Sequence, residues 1–240
     1  MLCCSSGSAH PPAIAAARRS RAFIFLEYGQ AKSLQENGGG ERADRRQNGA
    51  MIESDLLLHG YRLGVFPMAM EDDSIEWFSP DPRGIIPLDA FHLPHAARRA
   101  WEQRKFEIKI DTAFADVIRE CAKREETWIN SEIVASYERL HALGHAHSLE
   151  VWQNGKLGGG LYGVAIGGAF FGESMFHHVT NASKIALAAL VERLRARKFS
   201  LLDTQWLTPH LIQFGAIEIP RVQYLQLLDR ALNLPRRFTD

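Results

Sequence analysis

Three polar side chains stand where their neighbours predict burial: Glu173, Asp203 and Gln205. The run Phe199–Asp203 reads as a buried strand, and a spacing of two turns Asp203 and Gln205 to one face of it. Glu173 lies between Gly172 and Ser174 in a second run, Ala169–Met175, that is otherwise largely apolar. A carboxylate is costly to bury without a cation or hydrogen-bond donors. The chemistry such groups suit is the handling of an amine. Glu173 can balance an ammonium, and Asp203 can meet positive charge of the same kind. Gln205 is too weak to serve as a strong base, so orientation is its expected part. The competing structural roles are a strand-end Asp and Gln that satisfy turn amides, and a Glu that pairs with a core Arg or Lys.

Other constellations carry less. Gly158, Gly160 and Gly163 satisfy G-x-G-x-x-G, but a dinucleotide fingerprint must leave a strand and open a helix. Here the glycines fall inside an aromatic-rich strand, where close backbone packing explains them better. His141, His145 and His147 straddle Gly144, with no carboxylate or Cys spaced to complete a metal site. No metal and no cofactor is therefore expected. Cys3, Cys4 and Cys121 make no disulfide framework. The formal net charge is zero, so any nucleic acid must be met by a local basic patch. No apolar run approaches the ~18 residues of a membrane helix, and a cytoplasmic setting is expected.

The elements that would position these groups begin near Ser54, which can cap a helix that ends at Gly64. Phe66-Pro67 and Ser79–Gly84 read as rigid turns, and Ile85–Leu88 as a short edge strand. Pro94 opens a basic amphipathic helix through Arg104. Phe106–Ile110 alternates like a strand, and helices follow to about Lys123 and from Ser131 to Gly144. Next comes a three-stranded meander: Ser148–Trp152, an Asn154-Gly155 hairpin turn, Lys156–Ile166, and Ala169–Met175. A helix from Asn181 to about Lys198, the Asp203 strand, a short helix after Thr208-Pro209 and a helix over Arg221–Leu232 complete the order. This is an α+β arrangement around a largely antiparallel sheet flanked by helices.

Residues 1–50 differ in kind. They are rich in Ala, Arg, Gly, Ser and Asn and lack sustained periodicity, as in a disordered or non-native extension. Arg18-Arg19 precedes an apolar run that ends at Glu27, short of the roughly 7–15 residues of an export signal core. Met51 is the expected natural start.

Several uncommon strings then occur in a fixed order. They include Tyr61-Arg62-x-Gly64-x-Phe66-Pro67, Ser79-Pro80-Asp81-Pro82-Arg83, Thr127-Trp128-Ile129, and Leu140-His141-x-x-Gly144-His145-Ala146-His147-Ser148. Further on come Gly159-Gly160-Leu161-Tyr162-Gly163-Val164-Ala165, Phe171-Gly172-Glu173-Ser174-Met175-Phe176, Asn181-Ala182-Ser183-Lys184, Leu202-Asp203-x-Gln205 and Gly215-Ala216-x-Glu218-Ile219-Pro220-Arg221. Together, over about residues 54–228, they resemble the bacterial leucyl/phenylalanyl-tRNA–protein transferases. The resemblance implies a small N-terminal domain, placed at 51–90, and a larger acetyltransferase-like (GNAT-type) domain, placed at 91–240. It implies transfer of Leu or Phe from aminoacyl-tRNA to proteins that begin with Arg or Lys, which marks them for degradation. An acyl-CoA-dependent N-acyltransferase of similar fold is the alternative. The Gln/Arg-x-x-Gly-x-Gly/Ala string of such enzymes is missing before the 181–198 helix.

The resemblance also assigns residues. Asp203, Gln205 and Glu173 fall at the catalytic positions. Leu161, Phe170, Met175, Leu187 and Leu202 fall where the Leu or Phe side chain is seated, with Leu161 at a position that is commonly Met in relatives. Trp128 and Met68 stand where the terminal adenosine of tRNA is met, although relatives often carry Trp at the latter. Arg98, Arg99, Arg104 and Lys105 form the expected phosphate patch, thinner than in relatives, with Lys184 at a helix start as a further candidate.

Overall fold

The computed structural model describes residues 51–103, 105–123 and 127–240. The expected extension 1–50 and the phosphate candidate Arg104 lie outside the described residues.

Helix α1 (Ser54–Arg62) buries Leu57, Leu58, Gly60 and Tyr61 on one side. Gly64, at φ 77°, turns the chain out of it. The next stretch departs from expectation. Phe66-Pro67, read as a turn, opens β1 (Phe66–Ala69), which pairs with β2 (Ile75–Phe78) in a two-stranded antiparallel sheet. Proline is tolerated because a two-stranded ladder leaves each strand with an unpaired edge. Strand β3 (Arg83–Ile85) starts two residues before the expected Ile85–Leu88 strand. It is not an edge strand: it pairs with β8 on one side and β9 on the other. Charged Arg83 and Gly84 looked like turn material, and only a partner remote in sequence makes that arginine a strand residue.

Then follow α2 (His95–Glu102), β4 (Glu107–Ile110), α3 (Phe114–Ala122) and α4 (Ser131–Ala142). The Asn130 side chain caps α4 by accepting from the Ile133 N–H at 3.0 Å. The expected meander is present as β5 (Ala146–Gln153), β6 (Lys156–Ile166) and β7 (Ala169–His177). Asn154 and Gly155 both have positive φ, 52° and 72°, as the tight hairpin turn requires. Helix α5 (Ala182–Ala196) crosses over to β8 (Leu201–Gln205), after which α6 (Pro209–Ile212), β9 (Ile217–Ile219) and α7 (Arg221–Leu232) end the fold. Among the described residues the large sheet has seven strands in the order β4-β5-β6-β7-β8-β3-β9. Its ladders are antiparallel except for the parallel pairing of β7 with β8.

Alternation along the strands splits the core into two layers. Phe171, Tyr162, Val164 and Leu201 join Tyr61, Phe114, Tyr137 and Tyr224 in one cluster, the side of α1, α3, α4 and α7. Leu161, Phe170, Met175 and Leu202 join the buried face of α5 in the other. The seam between layers is tight. A Cβ on Gly163 would lie 2.3 Å from the Phe171 carbonyl oxygen and 2.5 Å from the Phe170 ring. The backbone there cannot yield, so Gly163→Ala is expected to cost about 1–3 kcal/mol of stability. Urea unfolding should show the midpoint fall; an unchanged midpoint would contradict this packing.

Candidate active site

Asp203 and Gln205 leave β8 on one face, as their spacing requires, and meet Glu173 from β7 there. All three side chains are fully buried. The contact that organises them comes from β3. Arg83, 1 % exposed, grips Asp203 with two parallel hydrogen bonds, Nε to Oδ1 at 2.9 Å and Nη2 to Oδ2 at 2.6 Å. Its Nη1 donates to the Gly64 carbonyl at 2.9 Å, and its plane lies over the rings of Tyr224 and Phe66 at 4.4 and 5.0 Å. Tyr224 donates to Asp203 Oδ2 at 2.7 Å, and the Gln205 backbone N–H donates to Oδ1 at 2.9 Å. Burial lowers the Arg83 pKa, but Asp203, through its charge and hydrogen bonds, together with Tyr224 and Glu173, outweighs it and raises the value above the ordinary range.

Asp203 therefore spends both oxygens within the protein. Its effect on Gln205 is conformational: Gln205 sits at φ 62°, a left-handed conformation unusual for a residue with a side chain. Strain of this sort costs about 1–3 kcal/mol and persists where the surroundings enforce it. Gln205 Nε2 donates to Glu173 Oε1 at 3.4 Å. Gln205 Oε1 is buried and has no hydrogen-bond partner among the described residues.

Glu173 occupies a β-bulge. Tyr162 is opposite Ser174 and Gly163 is opposite Gly172, so the register skips Glu173. Tyr61 donates to its Oε1 at 2.7 Å and Tyr137 to its Oε2 at 3.4 Å, while the two phenols also touch each other. Burial, then the Glu173 charge, raises both tyrosine pKa values, so they remain neutral donors. Burial pushes the Glu173 carboxyl itself up from its ordinary value.

The sheet is open where these groups meet. Strands β7 and β8 pair only from Ala169↔Leu201 to Phe171↔Asp203. Beyond that point β7 runs on to His177 and β8 to Gln205 without a shared ladder. Glu173 and Gln205 face each other across this parting. On its other side lie Leu161, Phe170, Met175, Leu187 and Leu202, all fully buried in the single cluster beneath α5. The polar trio and the apolar five thus occupy opposite faces of the sheet, close to where the β7–β8 ladder ends.

The remaining candidates are dispersed. Met68 and Trp128 are buried together in the first cluster, and the Trp128 carbonyl accepts from Ala69 N–H at 3.0 Å. Arg98, Arg99 and Lys105 are exposed on and just after α2, which packs on α5. Lys184 is half-buried in the first turn of α5. Burial, then Lys184, holds the His210 pKa down at about 4. His141 binds the Ala146 carbonyl at 2.8 Å and stacks on Phe114, and His147 binds Asp111 at 2.7 Å. Among the described residues no group of three or more His, Cys, Asp or Glu is placed to hold a metal.

Sequence reasoning assigned no role to Arg83, Tyr224, Tyr61 and Tyr137. Arg83 had a signal: an arginine followed by an apolar run needs a buried anion, and Asp203 is one. The tyrosines had none, because each reads as an ordinary amphipathic helix residue.

A mixed α+β protein in which a buried, unsatisfied amide oxygen stands beside a bulged carboxylate where two strands part is built like an enzyme. Comparison with known proteins agrees. The leucyl/phenylalanyl-tRNA protein transferase family model matches residues 85–229, and the model of that family's N-terminal domain matches 51–81. A leucyl/phenylalanyl-tRNA–protein transferase of Ruegeria pomeroyi is 56 % identical over 184 residues, 76 % of this chain and 88 % of the relative. One of Herpetosiphon aurantiacus is 53 % identical over 188 residues, 78 % and 98 % of the two chains. The chain belongs to the leucyl/phenylalanyl-tRNA–protein transferase family. Among solved structures, L-PGS from Bacillus licheniformis is similar at a TM-score of 0.37 and 12 % identity, over 68 % of this chain and 56 % of that one.

Burial favours protonated Glu173. Between the ordinary carboxylate range and its raised value, the folded chain holds a proton that the unfolded chain has lost, so stability falls as pH rises through that window. Glu173→Gln lacks this penalty. Its unfolding midpoint relative to the parent protein should climb as pH rises above the ordinary carboxylate range. A pH-independent difference would contradict a raised Glu173.

Proposed function

We propose that this protein moves Leu or Phe from aminoacyl-tRNA to the N-terminal amine of proteins that begin with Arg or Lys. In the N-degron pathway such transfer marks those proteins for degradation. The observation that carries the site assignment is the unpartnered Gln205 Oε1, buried opposite Glu173 where β7 and β8 part.

The aminoacyl ester is already activated, so the enzyme must bring amine and carbonyl together. Positioning alone can contribute roughly 7–11 kcal/mol in well-oriented cases. The acceptor nitrogen forms a bond to the ester carbonyl carbon, the ester C–O bond breaks, and the amine proton ends on the departing ribose oxygen. Gln205 Oε1 is the acceptor that aims the amine. Asp203 serves by holding Gln205 in its strained conformation, with its charge already balanced by Arg83. Glu173 receives an ammonium, which supplies the positive charge that burial withholds. The apolar five seat the Leu or Phe side chain on the far face.

Further assignments rest on the same reading. The parallel strands that part beside the site support an acetyltransferase-like (GNAT-type) domain at 91–240. Residues 51–90 form the small domain, with β3 as the strap that ties it to the sheet. Met68 and Trp128 lie beside the terminal adenosine, and Arg98, Arg99, Arg104, Lys105 and Lys184 meet phosphates. No helix among the described residues is long and apolar enough to cross a membrane. We place the reaction in the cytoplasm, where charged tRNA is made.

A peptide that begins with Arg, offered labelled Leu-tRNA or labelled acetyl-CoA, should take label from the tRNA alone. Label from acetyl-CoA would replace this reading with that of an acyl-CoA enzyme. Gln205→Ala should slow single-turnover Leu transfer by about tenfold or more, at about 1.4 kcal/mol per decade. Undiminished transfer by a folded Gln205→Ala protein would remove Gln205 from the site.

A further inference from the structure

We propose that Phe238 sets the size limit of the apolar pocket and thereby the balance between Leu and Phe donors. The inference rests on the reading that Leu161, Phe170, Met175, Leu187 and Leu202 seat the donor side chain.

The chain beyond α7 folds back beneath the end of α5. Arg193 Nε donates to the Phe238 carbonyl at 2.8 Å, Arg236 Nε donates to the Lys198 carbonyl at 3.2 Å, and Arg197 pairs with the Asp240 carboxylate. These contacts fix a segment whose other residues are exposed or half-buried, yet Phe238 within it is only 2 % exposed. Its ring enters the same cluster as the five pocket residues. It lies 5.1 Å from Phe170, 4.6 Å from His147 and 6.3 Å from Phe199, with the Arg193 guanidinium 5.8 Å over its face.

Phe170 is consequently held on two sides. Toward β6 it lies against Gly163, where even a Cβ would come within 2.5 Å of the ring. On another side is Phe238. Phe170 pairs in register with Leu202, a second pocket residue, next to the point where β7 and β8 part. A donor side chain that presses on Phe170 finds no room toward β6, so its remaining freedom is set by Phe238. Phe238 acts through Phe170, without reaching the reacting atoms, and is a positioning residue. Small changes of room in an apolar pocket discriminate strongly, since one methylene is worth about 10–200-fold.

The test measures kcat/KM for Phe-tRNA and for Leu-tRNA, with one Arg-peptide acceptor, in Phe238→Ala, in the milder Phe238→Leu, and in Arg193→Gln, which releases the segment. The Phe-to-Leu ratio is the readout, because it does not depend on how much protein is folded. The ratio should rise about fivefold or more in Phe238→Ala and by smaller steps in the other two. A ratio unmoved in all three, or both donors falling by the same factor, would overturn the proposal and leave Phe238 a purely structural residue. If the unaltered protein transfers neither amino acid, the functional reading itself fails, and that outcome is seen before any variant is compared.

Discussion

The buried ion pair between Arg83 and Asp203 is the constraint from which the rest of the site follows. Two opposite charges removed from water are tolerable only with near-complete hydrogen bonding, and here that condition is met. The guanidinium reaches Asp203, Tyr224 and the Gly64 carbonyl, and Asp203 in turn accepts from Tyr224 and the Gln205 backbone. Loss of one partner would strand the other, at about 3–5 kcal/mol. One interaction thus joins the turn after α1, strands β3 and β8, and helix α7. A carboxylate so fully engaged has little left for a substrate. It holds the backbone N–H of Gln205, a residue with a left-handed φ whose side-chain Oε1 nothing in the described structure satisfies.

Glu173 follows the opposite logic. No salt bridge to it forms among the described residues; two neutral phenols and an amide hold it. Burial disfavours its charge, and the two phenol hydrogen bonds offset that only in part, which is why its pKa rises. Asp203 is balanced internally by Arg83, whereas Glu173 has no such ion pair among the described residues, and in the function proposed here the substrate ammonium balances it. The bulge in β7 makes this possible, because it gives Glu173 a place outside the regular ladder while Met175 keeps its register with Leu161 on the other face.

Much of the fold could be read from local pattern. Asn154-Gly155, the Ala- and Leu-rich run after Asn181 and the alternation of β5–β7 all act over a few residues, and the structure follows them. What could not be read depends on distant partners. Arg83 and Gly84 look like a turn until β8 and β9 flank them. Pro67 argues against a strand until β1 proves to have an open edge. The two faces of the site were likewise partly legible. Spacing put Asp203 and Gln205 together, and burial of Glu173 was evident from its neighbours. The ion pair of Asp203, the tyrosine clamp on Glu173, and the parting of β7 from β8 are long-range contacts that no periodicity encodes.

In the proposed reaction Asp203 works through the geometry Arg83 imposes and not as a free anion. A double-mutant cycle tests this directly, with Arg83→Met, Asp203→Asn and the combined variant compared by single-turnover Leu transfer to an Arg-peptide. If the pair acts as a unit, the combined variant will be no slower than the slower single variant. Losses that multiply would mean that each residue contributes separately, and would contradict this account.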